Sequence, residues 1–147
     1  MVIGIFGESC TGKSTLAKKI AAYISCEIVA GKDYLRLAKN ENMARILFRK
    51  KLDAAVNGES IVYVIAEKEQ LALLPEQAVR ILVTADLEQI KTRFAQRMHG
   101  NLPMPVAAML ERKHGCFDEE PHDLHVISGE TDPDAVCRQI CERMNGV

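Results

Sequence analysis

Apolar residues along this chain alternate between short unbroken runs and stretches that repeat every three to four positions. Val2 to Phe6, Ser60 to Ile65 and Val79 to Val83 are almost wholly apolar, the pattern of strands covered on both faces, and Glu27 to Ala30 and Leu124 to Ile127 read as two shorter strands. Leu16, Ile20, Tyr23 and Ile24 predict a helix from Lys13 to about Ser25, with Lys18 and Lys19 in solvent. Gly31 reads as a turn, Asp33 opens a helical segment, and a further helical pattern from about Met43 to Val56 stops at Asn57-Gly58. Asp86 caps a helix from Leu87 to about Arg97 whose expected buried stripe is Leu87, Ile90, Phe94 and Met98. His99 to Pro105 is a Gly- and Pro-punctuated loop that opens the next helix, and Thr131-Asp132-Pro133 starts the last one, with Val136 and Ile140 inward. Strands alternating with helices imply one parallel sheet with helices on both faces, a class in which ligands gather at the carboxyl ends of the strands.

At that end of the first strand stands Gly7-Glu8-Ser9-Cys10-Thr11-Gly12-Lys13-Ser14-Thr15, which matches GxxxxGK[ST] at every fixed position, between a strand and an amphipathic helix. Glycines let such a loop fold tightly, its amide hydrogens point inward, and the following helix presents its positive dipole end, so the segment is suited to a polyphosphate. Lys13 would reach the β and γ phosphates, Ser14 would offer its hydroxyl to Mg²⁺, and Thr15 would brace the loop from the helix. Asp33, Glu67 and the region after Asp86 fall at the same end of the sheet in this reading.

Composition narrows the partners. The chain has 147 residues, the size of a single domain spanning 1–147, is 48% hydrophobic and 27% charged, and carries a formal net charge of -1. No global field draws it to nucleic acid or an anionic membrane, so positive charge must be local to a site. No apolar stretch approaches the roughly twenty residues of a membrane span, and Met1 leads directly into a strand, so a cytoplasmic monomer or homodimer is expected. Cys10, Cys26, Cys116, Cys137 and Cys141 form no CxxC pair and suit reduced thiols, and His114, Cys116 and His122 lack the paired spacing of a structural zinc site.

Other segments turn the phosphate loop toward a particular chemistry. No DxxG switch or NKxD base reader of a regulatory GTPase stands at a suitable position. Ala30-Gly31-Lys32-Asp33-Tyr34-Leu35-Arg36 is similar to a GDxLR segment with Tyr34 inserted, Leu82-Val83-Thr84-Ala85-Asp86-Leu87-Glu88 leads to an RxxxR pair at Arg93 and Arg97, and His122-Asp123-Leu124-His125-Val126-Ile127 is similar to a YDL-hydrophobic last strand. On these segments the chain resembles the nucleoside monophosphate kinase group, the adenylate and cytidylate kinases and their small relatives. The resemblance implies a three-layer P-loop NTPase fold, with a five-stranded parallel sheet, acceptor-binding helices at about 31–58 and a short lid at about 98–105. It implies an ATP-dependent kinase using Mg²⁺ and a small-molecule acceptor, most simply a nucleoside monophosphate.

By the same resemblance Arg36 would hold the acceptor phosphate, Arg93 would lie beside the donor base, and Arg97 would reach the donor phosphates. Arg112, with Lys113 as a close substitute, would neutralise charge on the transferring group. Ile65-Ala66-Glu67-Lys68-Glu69 stands where cytidylate kinases carry EGRD, so the acceptor contacts of that segment do not carry over. Glu67 is left either as a partner of Mg²⁺ or as a loop carboxylate. Two other readings stay open: a kinase of the shikimate or gluconate type, in which Asp33 would accept a hydrogen bond from a substrate hydroxyl, and an ATP-binding regulatory module without transfer activity.

Overall fold

The computed structural model describes residues 1–146. Five parallel strands, β1 (Val2–Phe6), β2 (Cys26–Ala30), β3 (Ser60–Ile65), β4 (Val79–Thr84) and β5 (Leu124–Ile127), form one sheet in the order β2-β3-β1-β4-β5. β1 lies at the centre, paired with Ile61 to Ile65 on one side and Val79 to Leu82 on the other, and all five of its residues are buried. Its continuous apolar run is needed because alternate side chains leave opposite faces. Val2 and Phe6 enter one core, with Tyr63, Ile65 and Leu82, and Ile3 and Ile5 enter the other, with Val62, Val64 and Ile81.

Helix α2 (Glu41–Ala55) covers the first face through Ala44, Phe48, Leu52 and Ala55. Helices α1 (Lys13–Tyr23) and α5 (Pro133–Met144) cover the second through Leu16, Ala17, Ile20, Val136, Cys137 and Ile140. Side-chain caps fix three helix starts: Asn40 Oδ1 accepts from Met43 N, Asp86 Oδ1 from Gln89 N, and Asp132 Oδ1 from Asp134 N. α1 is different, since Gly12 precedes it and supplies no side-chain cap.

Several expectations change in detail. The helical segment at Asp33 is a 3-10 turn of five residues, Asp33–Leu37, and α2 begins at Glu41, where the Asn40 cap places it. α1 ends at Tyr23 and β2 starts at Cys26. An unanticipated 3-10 turn, Lys68–Leu73, follows β3. The loop expected up to Pro105 gives way to helix α4 (Met104–Lys113) after Pro103, because Pro105 falls in the first turn, where a missing amide hydrogen has no helical partner to lose. Of the stripe expected in helix α3 (Leu87–Arg97), Ile90 alone is fully buried; Leu87 and Phe94 are half-buried, packed with Leu102, Val106 and Met109 of the α3–α4 hairpin, away from the sheet. Lys19, expected in solvent, is half-buried beside Asp134 at 3.4 Å.

Candidate active site at the phosphate loop

The loop between β1 and α1 closes tightly against β4. A Cβ on Gly7 would collide with the Val83 carbonyl oxygen, so glycine is required there by space. Gly12 has φ 101°, in the left-handed region that glycine adopts without strain. Cys10 takes a positive φ of 63° without that freedom, held by its surroundings: it is buried, and its carbonyl accepts from Arg93 Nη1 at 3.0 Å. Inside the loop, Thr11 Oγ1 donates to the Glu8 carbonyl at 2.9 Å.

Lys13 is folded back onto its own loop. Its Nζ donates to the carbonyls of Gly7 at 2.7 Å and Glu8 at 2.6 Å, and it is 8% exposed. Burial lowers its pKa to about 8; Arg97 acts in the same direction, while Cys10 and Glu8 oppose it. An ammonium held this way has two carbonyl partners that an anion could displace, as a lysine serving the charge of a polyphosphate needs.

Two cavities meet at the loop. One, of about 570 Å³, runs from Cys10 and Gly12 past Leu16 and Arg93 to Ser128 and Gly129, beyond the end of β5. The other, of about 340 Å³, lies over Lys13 and Ser14 and is bounded by Ala30, Gly31, Val64 and Ala66 at the ends of β2 and β3. Cys10, Gly12, Thr15 and Arg97 line both, so the loop and one guanidinium form their junction.

Arg93 is fixed by two bonds, to the Cys10 carbonyl and, at 2.9 Å, from Nη2 to Ser128 Oγ, which ties α3 to the loop after β5. The turn after β2 is fixed from below. Tyr34 is buried and stacks on Phe48 with ring centroids 5.3 Å apart, Phe48 meets Tyr63 edge-on at 4.9 Å, and Tyr63 Oη donates to the Gly31 carbonyl at 2.7 Å. Burial pushes the Tyr63 phenol well up, which keeps it a donor. The inserted Tyr34 is thus the turn's anchor. Asp33 and Arg36 remain exposed on that turn, with Asp33 Oδ2 accepting from Ala30 N at 3.3 Å.

The structure therefore brings Ser9, Cys10, Gly12, Lys13, Ser14 and Thr15 together with Arg97, and places Arg93 in the larger cavity. Arg36, in the turn, and Arg112, exposed in the last turn of α4, line neither cavity. Glu67 is exposed 4.0 Å from Lys32, and among the described residues no group of three or more His, Cys, Asp or Glu side chains could hold a metal ion. Sequence reasoning missed Gln70, which is buried and whose Oε1 accepts from Ala66 N at 3.2 Å, shaping the end of β3. It also missed Ser128, Gly129 and Thr131 as cavity wall, although their place after the last strand was the available signal.

No protein-family model matches the chain, and no curated protein matches it. Solved structures do match it over nearly its whole length. A sugar kinase from a Janibacter species has a TM-score of 0.65 at 14% identity, covering 98% of this chain and 94% of that one. Shikimate kinase from Acinetobacter baumannii, solved with shikimate, has a TM-score of 0.62 at 12% identity, covering 99% and 93%. The YorR protein of Bacillus subtilis, solved with phosphorylated GDP, has a TM-score of 0.61 at 20% identity, covering 99% and 96%. The fold is that of the small P-loop kinases: α/β, with a five-stranded parallel sheet between helices. No helix among the described residues is long and apolar enough to cross a membrane.

Proposed function

We propose that this chain is a small-molecule kinase that moves the γ-phosphoryl group of ATP to a hydroxyl of a small acceptor. The observation that carries this reading is the pair of cavities joined at the phosphate loop, one of about 570 Å³ and the other of about 340 Å³, with Arg97 at their junction and Lys13 in the floor of the smaller. Bound Mg-ATP would supply the donor group, with the Ser14 hydroxyl as the loop's contribution to the ion. The loop amides from Gly7 to Thr15 would hold the polyphosphate, and Lys13 would exchange its carbonyl partners for phosphate oxygens. Arg97 would balance the charge that spreads over the transferring group, and Arg112, exposed on α4 and outside both cavities, is the weaker candidate for that role. Arg93 would flank the base from its fixed position.

A hydroxyl acceptor is favoured over a nucleoside monophosphate by the smaller cavity, whose outer wall is Ala30, Gly31, Val64 and Ala66 and offers no guanidinium besides Arg97. Asp33, which like Arg36 lines neither cavity but accepts from Ala30 N of that wall, would accept the hydrogen bond of the substrate hydroxyl. The monophosphate reading draws on Arg36, exposed on the same turn, and on YorR, solved with a nucleotide. An ADP-release assay with Mg-ATP, run across polyols, hydroxy acids, sugars and nucleoside monophosphates with Lys13→Ala as control, separates these. Stimulation by a hydroxyl compound supports the proposal, stimulation by a monophosphate alone replaces the acceptor, and nucleotide binding without any stimulated turnover makes the chain a binding module.

A further inference from the structure

A carboxylate inside a loop that is to receive a polyphosphate is electrostatically unfavourable, so the position of the Glu8 side chain needs an explanation. It turns away from the loop's interior. Glu8 Oε2 accepts from Gly115 N at 3.1 Å and Glu8 Oε1 lies 3.1 Å from His114 Nδ1, more than a hundred residues along the chain, and the carboxylate-bearing side chain is only 10% exposed. The same turn is also held from the loop's own strand: Phe117 is buried and its ring meets that of Phe6, the residue before Gly7, with centroids 5.8 Å apart. Meanwhile the Glu8 carbonyl accepts from both Thr11 Oγ1 and Lys13 Nζ. One residue therefore holds, through its main chain, the lysine in its retracted place and, through its side chain, the turn that follows α4.

We infer that Glu8 is a positioning residue that couples occupancy of the phosphate loop to the turn at 114–117, and through it to α4. The inference rests on the phosphate-loop reading of the site. When Lys13 leaves the Glu8 carbonyl for a polyphosphate, the Glu8 peptide loses one partner and the loop becomes ordered around the ligand. Because the carboxylate is attached to that peptide and bonded to Gly115 N, the ordering passes to a segment that lines neither cavity. A glutamate that served only to stabilise the fold would hold the turn equally with and without ligand.

The test is amide hydrogen exchange of the full chain with and without saturating Mg·AMP-PNP, with occupancy measured by calorimetry. In the wild type, exchange at Gly115 should slow about tenfold on binding, and in Glu8→Ala at equal occupancy by less than about twofold. Glu8→Gln, which keeps an acceptor for Gly115 N, should recover most of the response, and His114→Ala, which leaves that bond in place, should retain it. A wild type that binds the nucleotide without a change at Gly115, a Glu8→Ala variant that still responds, or a Glu8→Gln variant that does not, overturns the coupling and leaves the site reading intact. Failure of the wild type to bind the nucleotide overturns the site reading itself, and the coupling with it.

Discussion

On the proposed donor side two of the three cationic side chains are already tied down, Lys13 to two carbonyls and Arg93 to Cys10 and Ser128, and Arg97 is exposed. On the proposed acceptor side the polar candidates, Asp33, Arg36 and Glu67, are all exposed, and what is fixed is the scaffold of Tyr34, Phe48 and Tyr63. The first half is preorganised for a ligand of constant shape, as a polyphosphate is. The second holds a turn in place, and in the proposed reading its side chains would define the acceptor, which is how one fold can serve many substrates.

The largest effect should come from the preorganised half. Lys13→Ala removes the one ammonium inside the loop, and turnover of Mg-ATP should fall by at least about a hundredfold, as when a charged group aimed at a reacting phosphoryl is deleted. The ADP-release assay reads this directly, and a variant within a few fold of wild type would show that the loop does not carry the chemistry.

The same contrast explains what could be read from the chain. β1, β3 and β4 were legible because strands covered on both faces are almost wholly apolar, and the phosphate loop was legible because its glycines are dictated by a backbone path: Gly7 has no room for a side chain. The 3-10 turn Lys68–Leu73 was not legible, since its position depends on Gln70, a polar residue buried to accept from Ala66 N, which no hydrophobic period reports. The α3–α4 packing was not legible because Leu87 and Phe94 pack in the cluster that α3 shares with α4, and periodicity gives a face without naming its partner. Arginines are the hardest case. Arg93, Arg97, Arg36 and Arg112 share a residue type, yet two line the cavities and two do not, a difference set by the tertiary position of their helices and turns.

The acceptor half can be tested against itself. If a hydroxyl is the acceptor, Asp33→Asn should reduce kcat/KM for that compound by about ten- to a hundredfold, the range for losing a charge-assisted hydrogen bond, while Arg36→Ala changes it by less than about threefold. The reverse ranking would assign the acceptor a phosphate. Equal, small effects for both would mean that the turn contacts no acceptor, and the comparison between the two halves would fail. On the donor side Arg93→Met should raise KM for ATP about tenfold with little change in kcat, because two fixed hydrogen bonds of about 1 kcal/mol order would be lost from a wall and not from the reacting group.

The smallest effect concerns pH and has opposite signs for binding and for stability. In the nucleotide-free protein burial holds Lys13 at about 8, below its ordinary value. A bound polyphosphate would raise it again, so binding above that pH takes up a proton. The charged fraction of the free site falls from about nine-tenths at pH 7 to about one-quarter at pH 8.5, so the affinity for ATP should weaken about fourfold across that interval. Calorimetry at pH 8.5 in buffers of different ionisation enthalpy should register net proton uptake. The nucleotide-free fold should behave in the other direction: between about pH 8 and 10.4 the unfolded chain binds more protons at this lysine than the folded one, so the Lys13 contribution to stability rises with pH. Lys13→Ala should remove both trends, and the difference between wild type and variant isolates this residue. A wild-type affinity that is flat from pH 7 to 8.5 would mean that the lysine is not desolvated in the empty loop, and that the donor half is less preorganised than its geometry implies.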